Sequence, residues 1–121
     1  MAASPITLRK YLRRLKDPRI DRNKLHLLGD IITIAVCAAI AGANKWIDVV
    51  TFAQHRKDWL GRFLELPNGI PSHDTFERVF DRVDPLALQN ALVGWLHSIS
   101  ERLGFRSCLI RIARFPGLPY L

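Results

Sequence analysis

A chain of 121 residues, 49% hydrophobic and 24% charged, has the balance of one globular domain, which excludes an intrinsically disordered tail. The longest apolar run, Ile31 to Ala43, is interrupted by Thr33 and falls short of the roughly 20 residues that a bilayer crossing needs, so a membrane span is excluded. The net charge of +7 is unevenly placed: residues 1–30 hold eight Lys/Arg against three acids, whereas residues 61–100 hold three Lys/Arg against five acids.

Ser4-Pro5 opens the first helix, Ser as a cap and Pro at the first helical position. Leu8, Tyr11, Leu12 and Leu15 then recur on one face, with Arg9, Lys10, Arg13, Arg14 and Lys16 around the rest. Asp17-Pro18 stops this helix, and residues 18–26 read as a polar, basic linker. The second helix is expected from about Leu28 to Ala43. It is apolar on nearly every side and rich in alanine, the pattern of a helix at the centre of a bundle.

From Trp46 to Leu66 the period is helical again, broken by the polar run His55-Arg56-Lys57-Asp58, so one helix or two angled helices fit equally. Pro67-Asn68-Gly69-Ile70-Pro71 is a turn. Ser72 caps the next helix, with Asp74 in the first turn, where the macrodipole favours an acid. Phe76, Val79, Phe80 and Val83 form its buried stripe. Asp84-Pro85 ends that helix and opens the last, which carries Leu88, Leu92, Trp95, Leu96, Ile99 and Leu103 up to Gly104. The expected architecture is all-α: a compact bundle of about five helices over residues 1–104, followed by an irregular, disordered tail over residues 105–121.

No enzyme signature is present. His26, His55, His73 and His97 have no metal-ligand spacing, and no glycine-rich phosphate loop occurs. Ser72-His73-Asp74 has the composition of a hydrolytic triad, but adjacent residues cannot converge on one point, and capping accounts for them. No catalytic residue, metal ligand, cofactor or small-molecule substrate is expected. Cys37 and Cys108 lie far apart without a disulfide framework, and the N-terminus lacks an apolar signal core, so a soluble, cytoplasmic protein is expected.

Two features point toward nucleic acid. The basic head suits a polyanion, since each phosphate contact releases counterions, although a solvated helix face explains the same charges. The short helix after Pro71 could also act as the second helix of a helix-turn-helix-like pair, presenting Arg78 and Arg82. Its own acids and its long preceding turn favour a plain packing helix instead.

The run Leu66-Pro67-Asn68-Gly69-Ile70-Pro71-Ser72-His73-Asp74-Thr75-Phe76, with Arg78-Val79-Phe80 and Asp84-Pro85 after it, strongly resembles the N-terminal associated domain of ISAs-type insertion-sequence transposases. Ile40-Ala41-Gly42-Ala43, Trp46, Asp48, Phe52, Trp59-Leu60 and Phe63-Leu64 extend the likeness over about residues 8–105. The resemblance implies that a catalytic RNase H-like domain follows, whose first strand reads like Ile-Asp-Gly-Lys and whose three carboxylates hold two metal ions for strand transfer. Here no Asp or Glu follows Glu101. None of those acids can be carried over, and the basic tail reads as out-of-frame translation ended by a chance stop.

The chain is therefore read as a truncated transposase whose helical domain binds the ends of an insertion sequence or assembles on them, without strand transfer of its own. The expected phosphate contacts are Arg9, Lys10, Arg13, Arg14, Arg19, Arg22 and Lys24, with Arg78 and Arg82 secondary. The alternatives are an interaction module, docking on a catalytic domain, on a second copy of itself or on intact transposase, and a non-functional pseudogene product. The frameshift reading predicts that a one-base shift near codon 105 of the gene restores an Ile-Asp-Gly-Lys-like run. Three frames without such a run would refute it.

Overall fold

The computed structural model describes residues 5–12, 15, 26–99 and 112. Six helices follow one another: α1 (Pro5–Leu12), α2 (Leu28–Ile40), α3 (Trp46–His55), α4 (Lys57–Leu60), α5 (His73–Arg82) and α6 (Pro85–Ile99), with no strand among the described residues. The polar interruption seen in the sequence is a real break. Arg56 leaves helical geometry at φ −114° and ψ 20°, and α4 is a single turn beyond it. Residues 18–25 of the linker, the end of α6 past Ile99 and most of the tail lie outside the described residues; of the tail, Ile112 alone is described, helical and fully buried.

α2 is the central element, packing on α1 and on α3, while α1 also meets α6 and α3 also meets α4 and α5. Ile31, Ile32, Ile34, Ala35, Val36, Ala38 and Ala39 are all buried, as the absence of a polar face demands. Full burial of each Ile or Val contributes about 1.5–3 kcal/mol, so this helix supplies much of the driving force for folding. The alanines allow α1 and α3 to approach closely. Gly94 does the same on α6: a Cβ there would lie 3.0 Å from ring atoms Cδ1 and Cε1 of Tyr11, so a larger residue requires the Tyr11 ring to give way.

α2 stops at Ile40, short of Ala43, for a reason visible in the backbone. Gly42 takes φ +107°, and the Gly42 and Ala43 amides donate to the carbonyls of Ala39 at 3.0 Å and Ala38 at 2.9 Å. This pair of bonds is a Schellman termination, which needs a residue free of the Cβ penalty at Gly42. α3 then begins after Lys45, and the Asp48 carboxylate reaches back to accept from the Asn44 amide at 3.3 Å.

The chain between α4 and α5 hangs on one buried carboxylate. Asp30, in the first turn of α2, is 1% exposed, and its Oδ2 accepts from the Leu66 amide at 3.0 Å. Leu66 adopts a left-handed backbone at φ 42°, which costs a leucine about 1–2 kcal/mol. The bond from Asp30 offsets that strain and sets the start of the turn, which Gly69 closes by donating to the Leu66 carbonyl at 3.1 Å. The helix expected to run to Leu66 ends instead at Leu60, because the chain must turn there to bring Leu66 onto Asp30.

Two stability outcomes follow from this packing. Asp30→Ala is expected to lower unfolding free energy in urea by about 1.5–3 kcal/mol, and Asp30→Asn by less, because the amide oxygen can still accept; a loss below about 0.5 kcal/mol for Asp30→Ala would refute the anchoring role. Burial pushes the Cys37 thiol up to about 12. In a Cys108→Ser background, Cys37 should resist a thiol-disulfide probe at pH 8 until the fold is opened by denaturant, since the thiolate is the nucleophile. Rapid labelling of the folded protein would contradict this.

Candidate nucleic-acid interface

The α3–α5 contact fixes the best-defined helix of the candidate surface. Trp46 at the start of α3 stacks on Phe76 with ring centroids 5.9 Å apart and planes 7° apart, and lies 4.9 Å from Phe80. Such pairs add about 0.5–1.5 kcal/mol beyond their buried area and lock α5 in rotation about its axis. Phe76 and Val79 are buried, and the opposite face of α5 is exposed. The sequence places the buried stripe correctly.

Ser72 acts as the expected cap. Its Oγ accepts from the Thr75 amide at 3.3 Å and lies 3.1 Å from the Thr75 hydroxyl. His73 Nε2 lies 3.3 Å from the Asp74 carboxylate beside it, and both side chains face solvent. The hydroxyl that a hydrolytic reading would need is thus committed to the helix end. Asp84 caps α6 in the same way, its Oδ1 accepting from the Leu86 amide at 3.1 Å across Pro85.

Arg78 and Arg82 are both exposed on α5, but they share that face with Asp74, Glu77 and Asp81. Arg78 Nε donates to the Asp74 carbonyl at 3.3 Å, tying one edge of its guanidinium to its own helix. A face with three carboxylates against two guanidiniums repels a phosphate backbone more than it attracts one. Residues 61–72 separate α4 from α5, and α5 packs on α3. This spacing is wider than the tight turn of a helix-turn-helix.

The basic head is represented among the described side chains by Lys10, which is exposed on α1 while Leu8 and Leu12 are buried. Arg9 lies in the same helix, with its side chain outside the described residues. Arg13, Arg14, Arg19, Arg22 and Lys24 lie outside the described residues altogether.

A second run of exposed charge occurs where sequence reading found only an interruption. From Gln54 to Arg62 every residue except Leu60 is exposed, including His55, Arg56, Lys57, Asp58 and Arg62. Trp59 within it is 39% exposed and meets Phe63 edge-on at 4.9 Å. The sequence marks His55-Arg56-Lys57-Asp58 as a polar interruption of the helical period, which says nothing of a charged surface. No group of three or more His, Cys, Asp or Glu among the described residues could hold a metal ion, and no described helix is long and apolar enough to cross a membrane.

Comparison with known proteins places these features in a family. The family model described as DDE_Tnp_1-associated matches residues 9–96. The chain is 46% identical over 86 residues to the "Uncharacterized protein in dhlA 3'region" of Xanthobacter autotrophicus, covering 70% of this chain and 29% of that protein. It is 35% identical over 95 residues to the "Putative transposase YncI" of Escherichia coli O157:H7, covering 78% of this chain and 24% of that protein. It is 42% identical over 55 residues to the "Inactive transposase YbfQ" of Escherichia coli (strain K12), covering 46% of this chain and 66% of that protein. The chain thus spans less than a third of the length of the first two relatives. No solved structure matches it significantly. With the family model matched from the first basic helix through the last, the chain belongs to the DDE_Tnp_1-associated family.

Proposed function

We infer that this chain serves DNA transposition as a DNA-binding or assembly domain, acting on the ends of an insertion sequence and performing no strand transfer of its own. The observation that carries the reading is the concentration of eight Lys/Arg against three acids in residues 1–30, joined to a neutral helical body. Family membership and likeness to a protein named as a transposase supply the context in which that charge meets DNA. Arg9, Lys10, Arg13, Arg14, Arg19, Arg22 and Lys24 serve as phosphate clamps, which set position on the duplex without reading bases. Arg78 and Arg82 contribute less, because the acids beside them oppose phosphate.

A second reading, an interaction module that docks on a catalytic domain, on a second copy or on intact transposase, draws support from apolar side chains left in solvent. Ile47 is 58% and Leu86 63% exposed. A dimer that is indifferent to added DNA in size-exclusion chromatography would favour it.

The DNA reading predicts that affinity for a duplex falls linearly on a log–log plot against salt, with a slope near −0.9 per phosphate contacted. Neutralising Arg9, Arg13 and Arg14 to Gln should make that slope shallower by about 2–3. An affinity equal at low and high salt would overturn the reading.

A further inference from the structure

The exposed cations at the α3–α4 junction differ from those on α5 in what surrounds them. Arg56, Lys57 and Arg62 lie within one continuous coil: the Leu60 amide donates to the Arg56 carbonyl at 2.9 Å, Gly61 to Lys57 at 2.9 Å, and Arg62 to Trp59 at 3.2 Å. Counting α4 and the turn residues that flank it at about 1.5 Å rise per residue, the three cations span roughly 9 Å. Among the described residues, none of the three is held in an ion pair, and Asp58 is the one acid between them. This is the densest exposed positive charge among the described residues, and a half-exposed indole sits in its middle.

We propose that the α3–α4 elbow, residues 54–62, is a second contact surface for the DNA backbone, with Arg56, Lys57 and Arg62 on phosphates and Trp59 packed beneath the bound strand. The proposal rests on the DNA-binding reading above and extends it to a site separate from the basic head. The fit is one of spacing and charge. One strand of duplex DNA presents a phosphate about every 3.4 Å along its axis, so a 9 Å stretch meets roughly two or three phosphates, as many as there are cations. Arg56 and Arg62 can grip phosphate oxygens with a planar fork of donors, while Lys57 supplies a point charge. The elbow is also rigidly placed. Leu60 and Leu64 are buried beside it, so the coil cannot swing away from the body when DNA arrives.

The test uses the full chain with a short DNA duplex at several salt concentrations. Arg56→Gln/Lys57→Gln/Arg62→Gln is compared with wild type and with the head variant Lys10→Gln/Arg13→Gln/Arg14→Gln. The elbow variant should make the log-affinity against log-salt slope shallower by about 2–3, with the helical circular-dichroism spectrum unchanged. A second readout needs no change to the cations. Of the three tryptophans, Trp59 is 39% exposed, Trp46 is half-buried and Trp95 is 3% exposed, so the part of the acrylamide quenching that Trp59→Phe removes reports on Trp59. Bound duplex should protect Trp59 from the quencher. If wild type binds with a salt-dependent slope while the elbow variant keeps that slope and Trp59 stays quenchable in the complex, the elbow is overturned and the head reading stands. If wild type shows no salt-dependent binding at all, both fall together.

Discussion

A single buried carboxylate ties the central helix to the turn that leads into α5. Asp30 sits in the first turn of the most apolar helix, and its hydrogen bond to the Leu66 amide at 3.0 Å crosses 36 positions of sequence. Removing a carboxylate from water is costly unless its oxygens are bonded, so the interaction is obligatory once α2 is buried. What it fixes is the point at which the chain leaves α4 and enters the Pro67–Pro71 turn. Beyond that turn, the Ser72 cap starts α5 and the stack of Phe76 on Trp46 sets its rotation.

The layout around this anchor is that of a helical scaffold built on an apolar core. α2 is enclosed by α1 and α3, and its buried polar groups are Asp30 and Thr33. Charge is displaced to the margins. Asp74, Glu77 and Asp81 outnumber Arg78 and Arg82 on the outer face of α5, while Arg56, Lys57 and Arg62 outnumber Asp58 at the elbow. A local excess of cations concentrates a polyanion, and a local excess of acids repels it.

Most of the fold was legible because its signals are local. The apolar period placed Leu8 and Leu12, the α5 stripe of Phe76, Val79 and Val83, and the α6 residues Leu88, Leu92 and Trp95, all of which are buried. The Ser72 and Asp84-Pro85 caps are short-range chemistry that sequence states directly. The features that escaped depend on distant partners. Nothing near Asp30 announces that Leu66 will meet it, and Leu66 at φ 42° is a residue that propensity argues against. Nothing local to Gly94 signals the Tyr11 ring that lies against it. The elbow cations were visible but unread, since helical periodicity explains only the residues between them. The family itself was legible from one uninterrupted run, Leu66 to Phe76, where turn, cap and first buried aromatic are written together.

The central claim is that DNA meets this domain through its segregated basic margins and not through the α5 face. Backbone amide shifts of the isotope-labelled chain during titration with a DNA duplex test it most directly. The account predicts large perturbations in residues 9–24 and 54–62, with the outer face of α5 around Glu77, Arg78 and Asp81 and the buried α2 residues left nearly unmoved. Perturbations concentrated on α5, or none at saturating duplex in low salt, would contradict it.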